Sequence, residues 1–253
     1  MTMNSASYSP EYFQEDIFLT DYQSVALAIF EIYQPKTLVD FGCGPGYLSR
    51  EFAKLGVKVT AVDGFSNPDF ANLSVEFYRL DLNDPIAINE LLINRKFDLA
   101  LSLEVAEHLQ PEASPNLISW LTKLAPVVVF SAAVPSQGGL GHINLRQRDY
   151  WHSLFTRHEF LAADRIRERL RAIPSVASWY RYNILDYVHC NHPQSPKVDE
   201  ALHRLIASES AAASAYYQEG NKLLVAEARL RYLPVRWYLM FRQFMKKLFK
   251  KSL

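Results

Sequence analysis

The sequence has little cysteine and no long hydrophobic run. Only two of its 253 residues are cysteine, Cys43 and Cys190, and they are not spaced as a CxxC pair. This excludes a scaffold built on disulfides and is typical of a reducing compartment. No stretch reaches the roughly 18 consecutive apolar residues that a membrane-spanning helix needs, and the polar residues 1–10 do not resemble a signal peptide. We therefore expect a cytoplasmic protein.

The sequence also lacks an excess of charge of either sign, because 27 basic residues balance 27 acidic ones. Such a balance provides no overall field that would attract nucleic acid, so we predict no DNA partner and do not favour RNA. The charge is unevenly distributed along the chain. Residues 234–253 contain six Lys or Arg side chains and no acidic one, which leaves a net charge of −6 on the rest.

Short apolar runs alternate with amphipathic stretches along most of the chain. Runs of strand length lie at residues 37–41, 58–62, 75–79, 97–103, 127–134 and 182–188. Helices are predicted at residues 21–33, with Asp21 as the N-cap, and at 47–55, 87–94, 116–124 and 147–156. This alternation predicts an α/β fold, in which helices cover both faces of a doubly wound, mostly parallel sheet.

The last sixty residues change in character. Ser195 and Pro196 form an N-cap and N1 pair, which predicts a helix running toward Gly220, and Pro234 is suited to begin another helix. In the last segment, five apolar residues recur at helical spacing and basic residues fall mostly elsewhere around the helix. These apolar residues are Trp237, Phe241, Phe244, Met245 and Leu248. The pattern predicts a basic amphipathic helix, which suits an inner-leaflet membrane surface or, alternatively, packs on the catalytic domain or on a second subunit of a homodimer.

A glycine-rich turn follows the first predicted strand. The strand reaches Asp40, and Gly42, Gly44 and Gly46 then alternate with other residues before a predicted helix. Small residues let the backbone turn sharply and approach a ligand closely. Dinucleotide-binding enzymes use GxGxxG in the same setting, but Tyr47 stands where the third glycine of that pattern belongs, which disfavours a nicotinamide cofactor.

The segment 38–46 (LVDFGCGPG) resembles motif I of class I S-adenosylmethionine-dependent methyltransferases, and the resemblance extends over roughly residues 33–130. It implies a Rossmann-like, seven-stranded sheet and S-adenosylmethionine as cofactor. Asp63 ends the second strand, where the family binds the ribose hydroxyls, and Asp81 lies where the family binds the adenine amino group. Either residue could instead be a solvated loop residue or a helix cap. The implied cofactor-binding residues are Asp40, Gly42, Cys43, Gly44, Gly46, Asp63, Gly64, Asp81, Leu82, Leu103 and Glu104.

Three ionisable side chains follow the fourth predicted strand. Glu104, Glu107 and His108 are spaced i, i+3 and i+4, which predicts that they share one side of a helical turn. The string is similar to that of ubiquinone-pathway O-methyltransferases and of small-RNA 2′-O-methyltransferases, in some of which it binds a metal. Together with His142 it forms a candidate divalent-metal set. Many metal-free members carry the same string, and we favour that metal-free interpretation.

The loop after the fifth strand contains a candidate for proton transfer. Methyl transfer to a hydroxyl requires alignment of the reactants and removal of a proton. His142 follows a glycine-rich stretch and is predicted as the general base, because an imidazole titrates in the right range. Glu104 and His108 are further catalytic candidates. The alternative for His142 is a loop histidine that only caps or lines the surface.

Two segments rich in aromatic and polar residues point to an acceptor. Residues 141–151 and 179–183 look like those of a bacterial methyltransferase group linked to cell-surface polysaccharide and secondary-metabolite pathways. Aromatic rings stack on sugar faces, and Arg and Asn bind hydroxyls or phosphates. Ordinary packing is the alternative for these side chains. The predicted substrate-binding residues are Asn144, Trp151, Trp179, Tyr180 and Arg181.

The sequence therefore predicts an O-methyltransferase for a hydroxyl of a glycan, a lipid-linked sugar or a related small metabolite, peripheral to the inner membrane. The alternatives are a metal-dependent 2′-O-methyltransferase of RNA ends and a non-catalytic scaffold that binds the cofactor; N- or C-methylation also stays open. Residues 1–35 are expected to form an N-terminal helical segment and 36–192 the methyltransferase domain. Residues 193–253 are expected to form a helical C-terminal extension with the basic tail.

Overall fold

A computed structural model describes residues 18–92, 94–197 and 200–231 of the chain, and its centre is one seven-stranded sheet with helices on both faces. The strands are β1 (Thr37–Phe41), β2 (Lys58–Asp63), β3 (Val75–Arg79), β4 (Leu99–Leu103), β5 (Val127–Ser131), β6 (Phe160–Ala162) and β7 (Leu185–His189). The helices are α1 (Tyr22–Tyr33), α2 (Tyr47–Lys54), α3 (Pro85–Leu92), α4 (Ser114–Leu124), α5 (Arg148–Arg157), α6 (Arg165–Leu170), α7 (Ser178–Asn183) and α8 (Glu200–Arg231).

The strand order is β3-β2-β1-β4-β5-β7-β6, and β7 alone runs antiparallel to its two neighbours among these strands. The chain winds outward in one direction from β1 to β3 and in the other from β4 onward. The sheet therefore has a topological switch point between β1 and β4, where ligands bind in doubly wound folds. The predicted seven-stranded, mostly parallel α/β fold is confirmed.

Alternating strand residues divide the core between the two faces of the sheet. Val39 and Phe41 of β1 face a cluster that contains the apolar sides of α3, α4 and α5, whereas Leu38 faces α1, α2 and α6. Both faces are covered, which explains why the central strands are continuous apolar runs. Asp21 caps α1 as predicted, because its carboxylate accepts the amide N–H of Ser24 at 2.9 Å.

Several predicted boundaries are wrong, and the differences have local causes. The long helix α8 begins at Glu200 and continues past Gly220 to Arg231. Ser195 is not its cap, because the next residues, Pro196 and Lys197, are not helical. The first residues of the strand predicted at 182–188 belong to α7. The predicted amphipathic segment 234–253 lies outside the described residues, and within the described part of the chain no helix is long and apolar enough to cross a membrane.

Candidate active site

The glycine turn between β1 and α2 has three glycines in the left-handed region, with φ of +76° at Gly42 and Gly46 and +52° at Gly44. A Cβ on Gly42 would lie 2.4 Å from Cγ2 of Val105, and one on Gly46 would lie 2.4 Å from Cζ of Phe70. A Cβ on Gly44 would meet no atom within 4 Å. Gly42 and Gly46 therefore allow close packing inside the protein, whereas Gly44 presents bare backbone to an open space.

Asp40, at the end of β1, is a buried carboxyl beneath this turn. Its Oδ2 accepts a hydrogen bond from the hydroxyl of Ser49 at 2.6 Å. Burial and, to a smaller extent, the nearby charge of Asp63 raise the pKa of Asp40 to about 6 in spite of that hydrogen bond. A cationic group beside Asp40 would stabilise the ionised form, so this end of the pocket is suited to a positively charged ligand.

Asp63, at the end of β2, joins the second strand to the glycine turn. Its Oδ2 accepts the amide N–H of Gly44 at 2.9 Å, and its Oδ1 accepts those of Phe65 and Ser66, each at 2.8 Å. Next to it, a Cβ on Gly64 would lie 3.1 Å from Cα of Asp81. The structure thus brings Asp63, Gly64 and Asp81 together at the ends of β2 and β3, as expected for two neighbouring parallel strands.

A pocket of about 260 Å³ opens at the switch point between β1 and β4. Its walls come from the glycine turn, the end of β4, the loop after β5, α1 and α7. The lining residues include Asp40, Gly42, Cys43, Gly44, Leu103, Glu104, Glu107, His108, His142, Trp179 and Tyr180. Most of the predicted cofactor residues and all of the predicted catalytic ones share this pocket. Five predicted cofactor residues lie outside its lining: Gly46, Asp63, Gly64, Asp81 and Leu82.

Glu104 departs from the predicted helical turn. Its φ is +56°, in the left-handed region, and only Ala106–His108 form a short 3-10 turn. The backbone N–H of Glu104 is held by the carbonyl and hydroxyl oxygens of Ser131, at 3.1 and 3.0 Å. Glu104 therefore does not share one face with Glu107 and His108. Burial raises the pKa of its carboxyl.

Glu107, His108 and His142 come together, with one potential ligand atom from each lying within 4.8 Å of the others. Glu104, the fourth member of the candidate metal set, is not part of this group. Glu107 is fully buried; its Oε1 accepts the amide N–H of Ala133 at 3.1 Å. Burial and the charge of Glu104 raise the pKa of Glu107 well above its usual range. Burial and the neighbouring His142 lower the pKa of His108 to about 4.

His142 has a tautomer that follows from its hydrogen bond. Its Nδ1 lies 3.1 Å from the carbonyl oxygen of Gln137, and because a carbonyl only accepts, Nδ1 carries the proton. Nε2 of the neutral ring is then the unprotonated nitrogen. Burial lowers the pKa of His142, which keeps the ring neutral at physiological pH. The side chain therefore has the protonation state that a general base requires.

The predicted substrate residues separate into two groups. Trp179 and Tyr180 of α7 line the pocket, and Arg181 lies half-buried beside them on the same helix. Trp151 does not reach the pocket, because it is buried in the core against Phe130, with ring centroids 5.3 Å apart. Asn144 is also buried; its amide donates to the carbonyl of Ala106 at 3.1 Å and to the hydroxyl of Ser114 at 2.8 Å. The expectation of substrate contact at Trp151 and Asn144 is corrected accordingly.

The sequence does not predict the two side-chain amides that contact Glu104. Nε2 of Gln137 donates to Oε2 of Glu104, and Nδ2 of Asn183 donates to Oε1, each at 3.3 Å. Asn183 ends the segment 179–183 that the sequence had marked as aromatic and polar, and Gln137 begins the glycine-rich loop. The contacts join residues 33 and 79 positions apart, so local spacing does not indicate them. The only sequence feature that points to these two residues is their position in the two segments.

Comparison with known proteins identifies the family. A family model described as a methyltransferase domain matches residues 13–173, more than half of the chain. The chain therefore belongs to this methyltransferase family, which confirms the predicted class I, S-adenosylmethionine-dependent methyltransferase at the level of family and fold. Over 103 residues the chain is 36% identical to a ubiquinone biosynthesis O-methyltransferase of Paramagnetospirillum magneticum, a match covering 40% of this chain and 41% of that protein. The chain thus matches about two fifths of that relative's length.

Solved structures agree on the fold. The magnesium protoporphyrin IX methyltransferase of Synechocystis PCC 6803 with bound S-adenosylhomocysteine has a TM-score of 0.50 and 20% identity, covering 70% of this chain and 87% of that one. A 1,6-didemethyltoxoflavin-N1-methyltransferase of Burkholderia thailandensis has a TM-score of 0.50 and 19% identity, covering 72% of this chain and 82% of that one. At such identities the likeness supports the architecture alone.

Proposed function

We propose that the chain is an S-adenosylmethionine-dependent O-methyltransferase for a hydroxyl-bearing small molecule, with His142 as general base. The observation that carries the proposal is the base-competent His142 in the same pocket as the glycine turn. S-adenosylmethionine, when bound, would supply a methyl group that passes to the acceptor oxygen as its bond to the sulfonium sulfur breaks, which leaves S-adenosylhomocysteine. The open face of Gly44 and the buried carboxyls of Asp40 and Glu104 fit this cationic group.

In this proposal the protein aligns the acceptor and takes up one proton. Trp179 and Tyr180 provide the acceptor wall, and Nε2 of His142 accepts the proton that the acceptor hydroxyl loses. The imidazolium of His142 that results then transfers this proton to solvent. The acceptor is a small-metabolite hydroxyl, and a sugar ring of a glycan or lipid-linked sugar is compatible with the two aromatic side chains.

The test is methyl transfer from labelled S-adenosylmethionine to a panel of phenols, sugars and short RNAs, with wild type, His142→Ala and His158→Ala. We expect a methylated phenol or sugar, and a loss of about 10²-fold or more in kcat for His142→Ala. His158→Ala is the control, because His158 ends α5 outside the pocket. Equal kcat for wild type and His142→Ala contradicts the assigned base, and cofactor binding without transfer to any acceptor favours the scaffold alternative.

A metal-dependent version is supported by the convergence of Glu107, His108 and His142. Imidazole and carboxylate together are suited to a divalent transition metal such as Zn²⁺. Exhaustive chelation before the assay distinguishes the two versions. We expect full turnover after chelation, and loss of turnover that returns with added metal would establish the metal-dependent version, which methylation of the RNA substrates would extend to RNA ends.

We also propose that the basic tail at residues 234–253 contacts an anionic membrane surface. Each basic residue near such a surface contributes about 1 kcal/mol. The test is flotation of the full chain with anionic vesicles, compared with a full-length variant in which Lys246, Lys247, Lys250 and Lys251 are changed to Gln. We expect only the unmodified chain to float, whereas equal recovery of both in the soluble fraction removes the membrane proposal.

A further inference from the structure

A group of buried polar side chains comes from α5, α6 and α7 and contacts α8. The exposed fractions are 5% for Asn183, 4% for Arg148 and 1% for Arg167. The guanidinium groups of Arg148 and Arg167 lie close together. Burial and the charge of Arg167 lower the pKa of Arg148 to about 10. Burying charge at this density is costly, and apolar side chains would satisfy packing alone at lower cost. The arrangement therefore invites a functional explanation.

Hydrogen-bond partners determine the orientation of the Asn183 side-chain amide. Nη2 of Arg148 donates to Oδ1 of Asn183 at 2.9 Å. Because a guanidinium has no acceptor, the oxygen of the amide must face Arg148 and its NH₂ group must face the other way. That NH₂ group donates to Oε1 of Glu104 at 3.3 Å and to Oε1 of Gln137 at 3.2 Å. Arg148 thus presents a donor to Glu104 through Asn183.

Glu104 receives one amide donor on each carboxylate oxygen. Asn183 donates to Oε1, and Gln137 donates to Oε2 at 3.3 Å. Donors on both oxygens favour the ionised carboxylate and fix the plane of the group. Its backbone has a positive φ, which a non-glycine residue adopts only where the surroundings hold it. Contacts with other parts of the chain therefore fix both the side chain and the backbone of Glu104.

Helix α8 holds the other end of this group. The hydroxyl of Ser210 accepts the backbone N–H of Arg148 at 3.0 Å, and Ser214 accepts from the side-chain amide of Gln147 at 3.1 Å. Nη1 of Arg167 donates to Glu209 at 2.7 Å. Both arginines also donate to the carbonyl oxygen of Tyr182, at 2.8 and 3.2 Å. The contacts connect α8 continuously to the carboxylate of Glu104.

We propose that Asn183 and Arg148 are positioning residues that hold the Glu104 carboxylate for the positively charged cofactor, and that docking of α8 keeps them in place. The proposal rests on the proposed function, because it takes Glu104 to face S-adenosylmethionine. It makes α8 part of the cofactor site, although α8 supplies no lining residue of the pocket among the described residues.

The test is calorimetric titration of S-adenosylmethionine, and separately of S-adenosylhomocysteine, which lacks the positive charge on sulfur, into the full chain at pH 7.5, with wild type, Asn183→Ala, Asn183→Asp and Tyr182→Ala. We expect Asn183→Ala to weaken binding about tenfold or more at pH 7.5, as expected for one lost hydrogen bond to a charged group. In both Asn183 variants the loss of affinity should be larger for S-adenosylmethionine than for S-adenosylhomocysteine, because a displaced Glu104 carboxylate no longer faces the sulfonium, whereas general damage to the pocket would weaken both ligands alike.

Asn183→Asp and Tyr182→Ala are the two comparison variants. Asn183→Asp preserves size and the contact with Arg148, so it reports on Glu104 even if Asn183→Ala does not fold. Tyr182→Ala removes an exposed side chain and leaves the carbonyl that the arginines use, so its affinity for both ligands should match wild type. Wild-type affinity in a folded Asn183 variant, or an equal loss of affinity for the two ligands, overturns the inference. Absence of binding to the wild-type chain instead overturns the proposed function.

Discussion

Two adjacent glycines in the loop after β5 have different neighbours at the scale of single residues. A Cβ on Gly139 would lie 2.2 Å from Nε2 of His142, whereas a Cβ on Gly138 would meet no atom within 4 Å. Neither glycine has a φ in the left-handed region, so alanine is sterically acceptable to the backbone at both. The imidazole of His142 therefore rests on the bare backbone of Gly139, at the nitrogen assigned to proton transfer.

Gly139→Ala is expected to displace His142 without removing it. A contact of 2.2 Å cannot be accommodated unless the ring moves, and a base displaced by about 1 Å loses on the order of 10²-fold in rate. We expect kcat to fall accordingly, with the affinity for S-adenosylhomocysteine changed much less. Gly138→Ala is the matched comparison and should lose far less kcat. Equal losses in the two variants would contradict the placement of His142.

At the scale of elements, the docking of α8 depends on charge buried to different depths. Glu209 pairs with Arg167, whose side chain is 1% exposed, whereas Glu219 pairs with Lys222 on the surface of the same helix. Exposed pairs of this kind contribute little, while a charge left without one of its partners in the interior costs more. The two glutamates therefore provide an internal comparison within α8.

Glu209→Ala is expected to destabilise the protein by about 1–3 kcal/mol, since Arg167 keeps its contact with Asp164 but loses Glu209. Glu219→Ala should stay within about 0.5 kcal/mol of wild type. Denaturant unfolding measures both values, and hydrogen exchange of the α8 amides should show faster opening in Glu209→Ala alone. A Glu209→Ala protein as stable as Glu219→Ala would show that this pair does not hold α8.

The elements were predictable to the extent that local pattern determines them. Apolar runs marked the central strands, and Asp21 and the glycine turn marked where α1 and α2 begin, because capping and turn chemistry act over a few residues. The turn at Glu104 was not predictable from spacing. Its positive φ depends on Ser131, a residue 27 positions away on the neighbouring strand. The same reason hid Asn183 and Gln137, whose contacts with Glu104 arise only when the sheet has formed.

At the scale of the whole molecule, buried acidic groups oppose folding when no cation accompanies them. Asp40 has an ordinary pKa of 3.8, raised to about 6 in the folded chain by burial. A carboxyl with a raised pKa binds its proton more tightly in the folded state. Stability therefore decreases as pH rises from about 4 to about 6, and the full cost is present above that range. The cofactor pocket is in this sense a destabilised part of the fold.

Asp40→Asn is expected to stabilise the protein at pH 8 by up to about 3 kcal/mol, because it removes the buried charge and keeps an oxygen for the hydroxyl of Ser49. The gain should become small at pH 4.5, where much of the wild-type cost has disappeared. The same variant should bind S-adenosylmethionine more weakly. Denaturant unfolding at the two pH values measures the gain, and a gain independent of pH would contradict the burial of an ionised Asp40.

In the proposed function the cofactor lies against the open face of Gly44. Gly44 and Gly56 both have positive φ, and a Cβ on either would meet no protein atom within 4 Å, but only Gly44 lines the pocket. Alanine at the two positions therefore carries a similar backbone cost of about 1 kcal/mol and differs in what it places in the pocket.

The most direct measurement is the calorimetric affinity of S-adenosylhomocysteine for wild type, Gly44→Ala and Gly56→Ala at pH 7.5. We predict binding to wild type and Gly56→Ala with similar affinity, and at least tenfold weaker binding to Gly44→Ala, which corresponds to about 1.4 kcal/mol. Equal affinity in all three proteins, or no binding to wild type, would contradict the placement of the cofactor against Gly44.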